Sequence, residues 1–334
     1  MAEVRGVESF TEVVNPDLMD VSALMRANWL PPCWLYDPEI VAMRIARPTA
    51  DPELVTGLRA GDGRLATYLA FLPVSLRVGE LHARGVFASF LTASRDFRRQ
   101  RLSDRQQLLA IDKAQARAYD YYVAVTIAGT PANQVVARAF AARGLPVRAV
   151  TNFHYLVAQA PALRARVGGP QRIIREYDPR DEARAWALLN AAGDRAELAQ
   201  EIARADVDFL LRTRARVATY CYEGNEGIEA LLHVSFIPVV RAGEVAVNAY
   251  IEIAAFGALS PPQREGFVAG VLAAVLRDHD VEAVWVPDTG SMDIGPFRRL
   301  GLRMAPRKFR LLLAPLRSGL ALPPAIGSFF LELF

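Results

Sequence analysis

Gly85-Val-Phe-Ala-Ser-Phe-Leu-Thr-Ala-Ser-Arg-Asp-Phe-Arg-Arg-Gln-Arg-Leu-Ser-Asp104 and Val245-Ala-Val-Asn-Ala-Tyr-Ile-Glu-Ile-Ala-Ala-Phe-Gly-Ala-Leu-Ser-Pro-Pro-Gln-Arg-Glu-Gly-Phe-Val268 are two versions of one plan. Each begins as an apolar run of strand type, turns through polar residues rich in Arg or Gln, and continues as a helix. That order leaves backbone N–H groups free at a helix start, where amides and helix dipole together hold an anion. Each copy leads on to a second strand, a short helix and a glycine. In the first these are Tyr121 to Thr126, Asn133 to Phe140, and Gly144; in the second, Val281 to Val286, Ile294 to Leu300, and Gly301. One offset, about 157 residues, separates both Phe140 from Phe297 and Gly144 from Gly301, which reads as two folded lobes and not as solenoid units.

Working outward, the 334 residues suit two domains, with 52% hydrophobic and 22% charged residues as in a globular protein. The expected boundaries are 1–160 for a first lobe and 170–334 for a second, with a connector from about Ala160 to Gly169. The net charge of +3 is mild, and no Lys/Arg block sits among spaced aromatics, so nucleic acid is not an expected partner. Cys33 and Cys221 are the only cysteines, with no CxxC and no His/Cys cluster, which fits a reducing cytoplasm and no metal site. The first residues carry no apolar leader, and no run of about eighteen apolar residues predicts a membrane span. The apolar tail Gly319 to Phe334, broken by Pro323 and Pro324, is expected to pack on the body; a homodimer contact is the second reading.

Taken in order, Asn15-Pro-Asp-Leu opens a helix with Asn15 as cap, and Pro38 to Arg47 forms a second. Thr67 to Val78 is a long β segment interrupted at Pro73. Val86 to Thr92 is a strand, Leu102 to Ala118 a helix, Ala132 to Arg143 a helix ended by Gly144, and Val147 to Val157 a strand pair. The second half repeats the plan. Arg172 to Tyr177 is a strand, Pro179 to Asn190 a helix, and Glu197 to Arg212 one or two more helices. Ala215 to Tyr222, Ile228 to Val240 and Val245 to Phe256 are strands; Phe267 to His279 is a helix and Lys308 to Leu313 the last strand. The fold class is α/β with a mixed sheet.

This order resembles the GCN5-related N-acetyltransferases, and the doubling resembles their tandem-lobe members. Asn133 to Leu145 is the best local match: the family pattern is Asn, Tyr seven residues on, then Gly-Phe. Here Phe140 replaces the Tyr and Leu145 the Phe. The family's acyl-CoA loop reads Gln/Arg-x-x-Gly-x-Gly/Ala at a helix start. Gln263-Arg264-Glu-Gly266-Phe-Val268 keeps its first two key positions. Arg98-Arg99-Gln-Arg101-Leu-Ser103 keeps Arg and a small Ser, with Arg101 at the Gly position. The resemblance implies two tandem lobes of this fold and an acyl-CoA, acetyl-CoA or another, as acyl donor. It implies direct transfer to the amine of a small molecule. Other thioester chemistry, such as decarboxylation or transfer from the pantetheine arm of an acyl carrier protein, is the alternative; a non-catalytic binding protein is a third. The family Tyr that often protonates the thiolate is missing from both lobes.

Glu252 is the candidate general base. It lies by the period of two on one face with Asn248 and Tyr250, and a charge on an apolar central strand needs a reason. The first-lobe counterpart strand carries no acid, only Thr92. The candidate thioester-binding residues are Gln263, Arg264, Gly266 and Val268, and Arg98, Arg99 and Ser103. Because Gly266 leaves room where Arg101 crowds, the second lobe is the expected thioester site. His233 and His154 fall on strands without a Ser or Cys partner in a known motif, so no nucleophilic triad is expected.

Overall fold

The computed structural model describes residues 9–97, 100–168, 174–212, 214–241 and 243–333. The first half runs Phe10–Val14 (β1), Leu18–Asn28 (α1), Cys33–Trp34 (β2), Pro38–Ile45 (α2), Val55–Ala60 (β3), Leu65–Val78 (β4), Leu81–Ala93 (β5), Leu102–Ala116 (α3), Tyr121–Ile127 (β6), Pro131–Ala142 (α4) and Arg148–Gln159 (β7). The second runs Ala160–Arg164 (α5), Ile174–Glu176 (β8), Glu182–Gly193 (α6), Leu198–Glu201 (β9), Arg204–Leu211 (α7), Val217–Gly224 (β10), Gly227–Arg241 (β11), Glu244–Ala255 (β12), Pro261–Asp278 (α8), Ala283–Pro287 (β13), Gly295–Arg299 (α9), Arg303–Pro315 (β14) and Phe329–Phe330 (β15).

One mixed sheet carries both lobes, in the order β1-β3-β4-β5-β6-β14-β7-β13-β12-β11-β10-β8. The order is palindromic. β5 and β12, the strands of the two opening stretches, hold the same rank from either edge. The last strand of each half is exchanged: β14 pairs antiparallel with β6, β7 pairs antiparallel with β13, and β14 and β7 pair with each other at the centre.

Local chemistry sets the element ends. The cap of α1 is Asp17, whose Oδ1 accepts from the Met19 amide at 2.7 Å, so the helix starts at Leu18; Asn15 takes φ 48° outside it. Gly144 has φ +64°, which only glycine adopts freely, and stands just past α4 as expected. β4 is not interrupted at Pro73. There it has left β3, last paired at Ala70, and has not yet met β9, first paired at Ser75, so that side has no ladder bond to lose. Leu198–Glu201 is a strand where a helix was expected, because it fills a place between β4 and β15. Arg77 anchors the chain just before it by donating to the carbonyls of Gly193 and Ala196, both at 2.8 Å. Arg148–Gln159 is one long strand and not a pair.

Helices cover both faces. α3 and α4 pack on one face of the first lobe, where Phe140 shares a core with Phe71 and Tyr122, and α8 and α9 do so in the second, where Phe267, Val271 and Phe297 share a core with Ile251 and Val284. On the other face α6 and α7 cover the second lobe. α1 and α2 share a core there with Phe87, Tyr155, Tyr250 and Phe329, which joins the lobes. The apolar tail packs into this junction: the Ile326 amide donates to the Val150 carbonyl, the Phe329 amide to that of Thr289, and Phe329, Phe330 and Leu331 are buried. Each such side chain is worth about 1.5–3 kcal/mol by burial.

Candidate functional site

The site begins where parallel strands part. β5 and β6 pair from Gly85↔Tyr121 to Ala88↔Ala124 and no further, although β5 runs on to Ala93 and β6 to Ile127. β12 and β13 pair only from Asn248↔Ala283 to Tyr250↔Trp285. Beyond these points each pair forms a wedge in which the two backbones no longer satisfy each other.

At each wedge the longer strand bulges. Opposite β4, Thr92 faces Tyr68 but Ser89 faces Ala70, so β5 holds one extra residue, and Phe90 takes φ +67°. Opposite β11, Ile253 faces His233 and Ile251 faces Val234, so Glu252 is the extra residue of β12. A bulge turns the strand and frees backbone groups from the ladder. The wedges differ in access. In the first, Ala88 to Leu91 and Val125 to Ile127 are half-buried or exposed; in the second, Ile251 to Phe256 and Val286 to Pro287 are buried.

The helices behind the wedges also differ. α3 starts after Arg101, which itself takes the left-handed conformation (φ 52°, ψ 35°) and makes no side-chain cap to the helix amides. Ser103 stands in its first turn. Asp104 is held by Arg138 at 2.8 Å; Arg98 and Arg99 lie outside the described residues. α8 starts after Ser260, and its first two positions are Pro261 and Pro262, which have no N–H to offer. Gln263 Oε1 accepts from the Ser260 amide and hydroxyl (3.0 and 2.7 Å), and Arg264 is tied to the Leu259 carbonyl and to Asp293 (2.8 and 3.0 Å). Gly266 and the buried Val268 stand inside the helix. The helix start expected around Gly266 therefore lies several residues earlier, at Ser-Pro-Pro. The left-handed residue at a helix start is Arg101.

Glu252 is 3% exposed. The bulge breaks the alternation of β12 just past Glu252, whose electrostatic neighbours include Tyr250, its strand-mate by the period of two. Ala249 and Ile251 pack with α8, but past the bulge it is Ala254 and Phe256 that do so, while Ile253 and Ala255 face α6 and α7. Glu252 acts electrostatically on Arg44, Tyr155 and Tyr250. Arg44 is buried in α2, lies 5.8 Å over the Phe87 ring, and pairs at 2.9 Å with Glu332, which Arg47 also holds. Burial lowers the Arg44 pKa to about 10, against the raising effect of Glu332, so it stays charged at neutral pH. Trp34 Nε1 donates to the Tyr250 hydroxyl at 2.9 Å, and Trp29 Nε1 to Thr92 at 2.9 Å. Burial raises the pKa of Tyr36, Tyr155 and Tyr250, so their hydroxyls keep their protons. The Tyr68 hydroxyl, beside the bulged Phe90, is buried and has no hydrogen-bond partner among the described residues. Arg44, Tyr68 and the tyrosine cluster were not sequence candidates; they carry no motif, and only the topology gathers them.

Phe140 and Phe297 are fully buried in their lobes' cores. His233 Nδ1 is 2.9 Å from Thr219 Oγ1, and burial lowers its pKa to about 4, so it is neutral at pH 7. His154 Nδ1 meets the Ala305 carbonyl at 3.0 Å. Asp293 accepts from the Gly295 amide at 3.0 Å, an N-terminal role in α9. Among the described residues no group of three or more His, Cys, Asp or Glu side chains is placed to hold a metal, and no helix is long and apolar enough to cross a membrane.

No family model matches this chain, and no curated protein sequence does. Solved structures do match its fold. Saccharomyces cerevisiae N-myristoyltransferase with bound myristoyl-CoA superposes with a TM-score of 0.76 at 13% identity, over 92% of this chain and 83% of that one. A structure of the same yeast enzyme with myristoyl-CoA and inhibitors gives 0.74 at 14%, over 92% and 80%. A conserved Enterococcus faecalis protein described as a probable N-acyltransferase gives 0.56 at 10%, over 92% and 72%. The expected fold class is therefore the one observed: a mixed α/β sheet built as two tandem lobes, a fold shared with the N-myristoyltransferase structures.

Proposed function

We propose that this chain, sharing its fold with N-myristoyltransferase, is an acyl-CoA-dependent N-acyltransferase that passes the acyl group directly to the amine of a small molecule. The observation that carries the reading is the first-lobe wedge. It is open, ends on a bulge, and is backed by a helix start at a left-handed arginine that makes no side-chain cap. The second-lobe wedge is buried and its helix begins with two prolines, so the thioester is assigned to the first lobe.

In this reading the α3 amides, Ser103 and Arg101 hold the phosphates, with Arg98 and Arg99 preceding them in the chain. Unpaired backbone of β5 and β6 lines the pantetheine arm. A bound acyl thioester supplies an acyl carbon joined to a good leaving group. The Tyr68 hydroxyl donates to the carbonyl oxygen near the β5 bulge, where negative charge develops. Glu252 accepts a proton from the ammonium of the acceptor, which arrives mostly protonated at neutral pH. The new bond is N–C, the bond broken is C–S, and the products are an amide and the free thiol. Gln263, Arg264, Gly266 and Val268 have no contact role in this scheme.

The test is thiol release from acetyl-, octanoyl- and myristoyl-CoA, and from an acyl carrier protein, against a panel of small amines, with amide mass as the second readout. The absence of both thiol release and CoA binding would sink the proposal. Thiol release without an amide would favour other thioester chemistry, the reading to which the missing hydroxyl at Phe140 points.

A further inference from the structure

The acylation leaves a proton over. An ammonium and a thioester give an amide, a thiol and one H⁺, so every turnover must deliver a proton to bulk water. Glu252, the proposed base, is buried.

Two adjoining cavities begin at Glu252 and end at the surface. The inner one is lined by Glu252, Thr289, Met292 and Phe330, the outer by Ala191, Arg195, Gly257 and Asp293; Ala192, Ala254 and Ser291 line both. Arg195 and Ala191 are exposed, so the outer cavity opens to solvent. The volumes are about 10 Å³ and 30 Å³. On this measure a water needs about 10–15 Å³, so the pair suits one to three waters and no substrate. Between them stand two hydroxyls. Ser291 Oγ donates to the Phe329 carbonyl at 2.7 Å, so the 3.0 Å contact with Thr289 is donated by Thr289 Oγ1. Thr289 thereby keeps its lone pairs for a donor on the Glu252 side.

We propose that this row is the proton exit of the enzyme: Glu252, an inner water, the Thr289 and Ser291 hydroxyls, and an outer water that meets bulk solvent beside Arg195. Each hydroxyl takes one proton and releases one, Ser291 by turning its O–H from the Phe329 carbonyl to the outer water, so neither changes charge over a cycle. Thr289 and Ser291 are positioning residues that touch neither acyl group nor amine. The inference rests on the reading of Glu252 as base.

The test compares Glu252→Gln, Ala192→Leu, Ser291→Ala and Ser291→Thr. Ala192→Leu fills the space common to both cavities without removing a polar group. Ala192→Leu and Ser291→Ala should lower kcat roughly ten-fold, less than the about 10²–10⁴-fold expected for losing the base itself. They should leave KM for acyl-CoA unchanged and raise the solvent deuterium isotope effect on kcat. Ser291→Thr keeps a hydroxyl and should restore both. Wild-type kcat in Glu252→Gln overturns the base and the exit together. A slow Glu252→Gln beside Ser291→Ala and Ala192→Leu with wild-type kcat and isotope effect overturns the exit alone. Should Ala192→Leu not fold, Ser291→Ala decides by itself.

Discussion

Tyr68 is the residue at which chemistry separates most cleanly from packing. Its hydroxyl is buried without a partner among the described residues, and such a group costs about 1–3 kcal/mol where it stands. Tyr68→Phe should therefore melt at the same temperature or higher, while turnover falls by about 10²-fold or more, as for loss of an oxyanion donor. Unchanged turnover in a well-folded variant would make the hydroxyl a mere packing remnant. His233 reports on pH. Its folded pKa, lowered to about 4 by burial, lies below the 6.5 of the free imidazole. The unfolded chain thus binds the proton first, and stability is complete above about pH 6.5 and falls as pH drops toward 4, by about 3 kcal/mol. Urea midpoints should show this loss in the wild type and a flatter profile in His233→Gln. Glu252 was legible from sequence because a carboxylate on an apolar strand is costly anywhere. Tyr68 and Arg44 were not, because an aromatic or a helical arginine becomes unusual only once its neighbours are known.

Among elements, the contrast between α3 and α8 decides where a thioester can sit. An aspartate in place of Arg101 puts a negative charge at the start of α3. Arg101→Asp should therefore weaken acyl-CoA binding by about ten- to hundred-fold, the size of one or two charge-assisted bonds. Gly266→Asp changes the interior of α8 and should leave affinity within about two-fold, well under 1.4 kcal/mol. Calorimetric titration separates them; abolition by Gly266→Asp alone would return the site to the second lobe. The strand–turn–helix order was readable because periods of two and 3.6 show in the residues themselves. The bulges at Phe90 and Glu252 were not, since a bulge is defined by the strand opposite. Ser260-Pro-Pro was a readable helix start, and it outweighs the family spacing that put the helix start around Gly266.

At the scale of the molecule, the lobes are repeats but not independent halves. The proposed boundary near residue 160 cuts the chain between β7 and α5, yet β7 lies between β14 and β13. A fragment of residues 1–160 loses the seven-residue pairing of β6 with β14 and leaves β7 without either neighbour. Expressed alone it should aggregate or stay unfolded, with exposed strand edges. Co-expressed with 161–334 it should give a complex with the far-UV spectrum of the whole chain. A stable, monomeric 1–160 would show that the exchange is dispensable. The repeat was legible from the shared offset of Phe140/Phe297 and Gly144/Gly301, but the exchange was not. It is a pairing across more than half the chain, and no local pattern records it.

The exchange also sets a clock for biosynthesis. β6 ends at Ile127, and its partner β14 begins only at Arg303. At about 5–20 residues per second, some 10–35 s pass on the ribosome between them. Through that interval the nascent first lobe carries an open edge. A messenger cut short anywhere before β14 yields a polypeptide whose earliest-made lobe is still incomplete, and quality control meets a product that its full-length counterpart never releases.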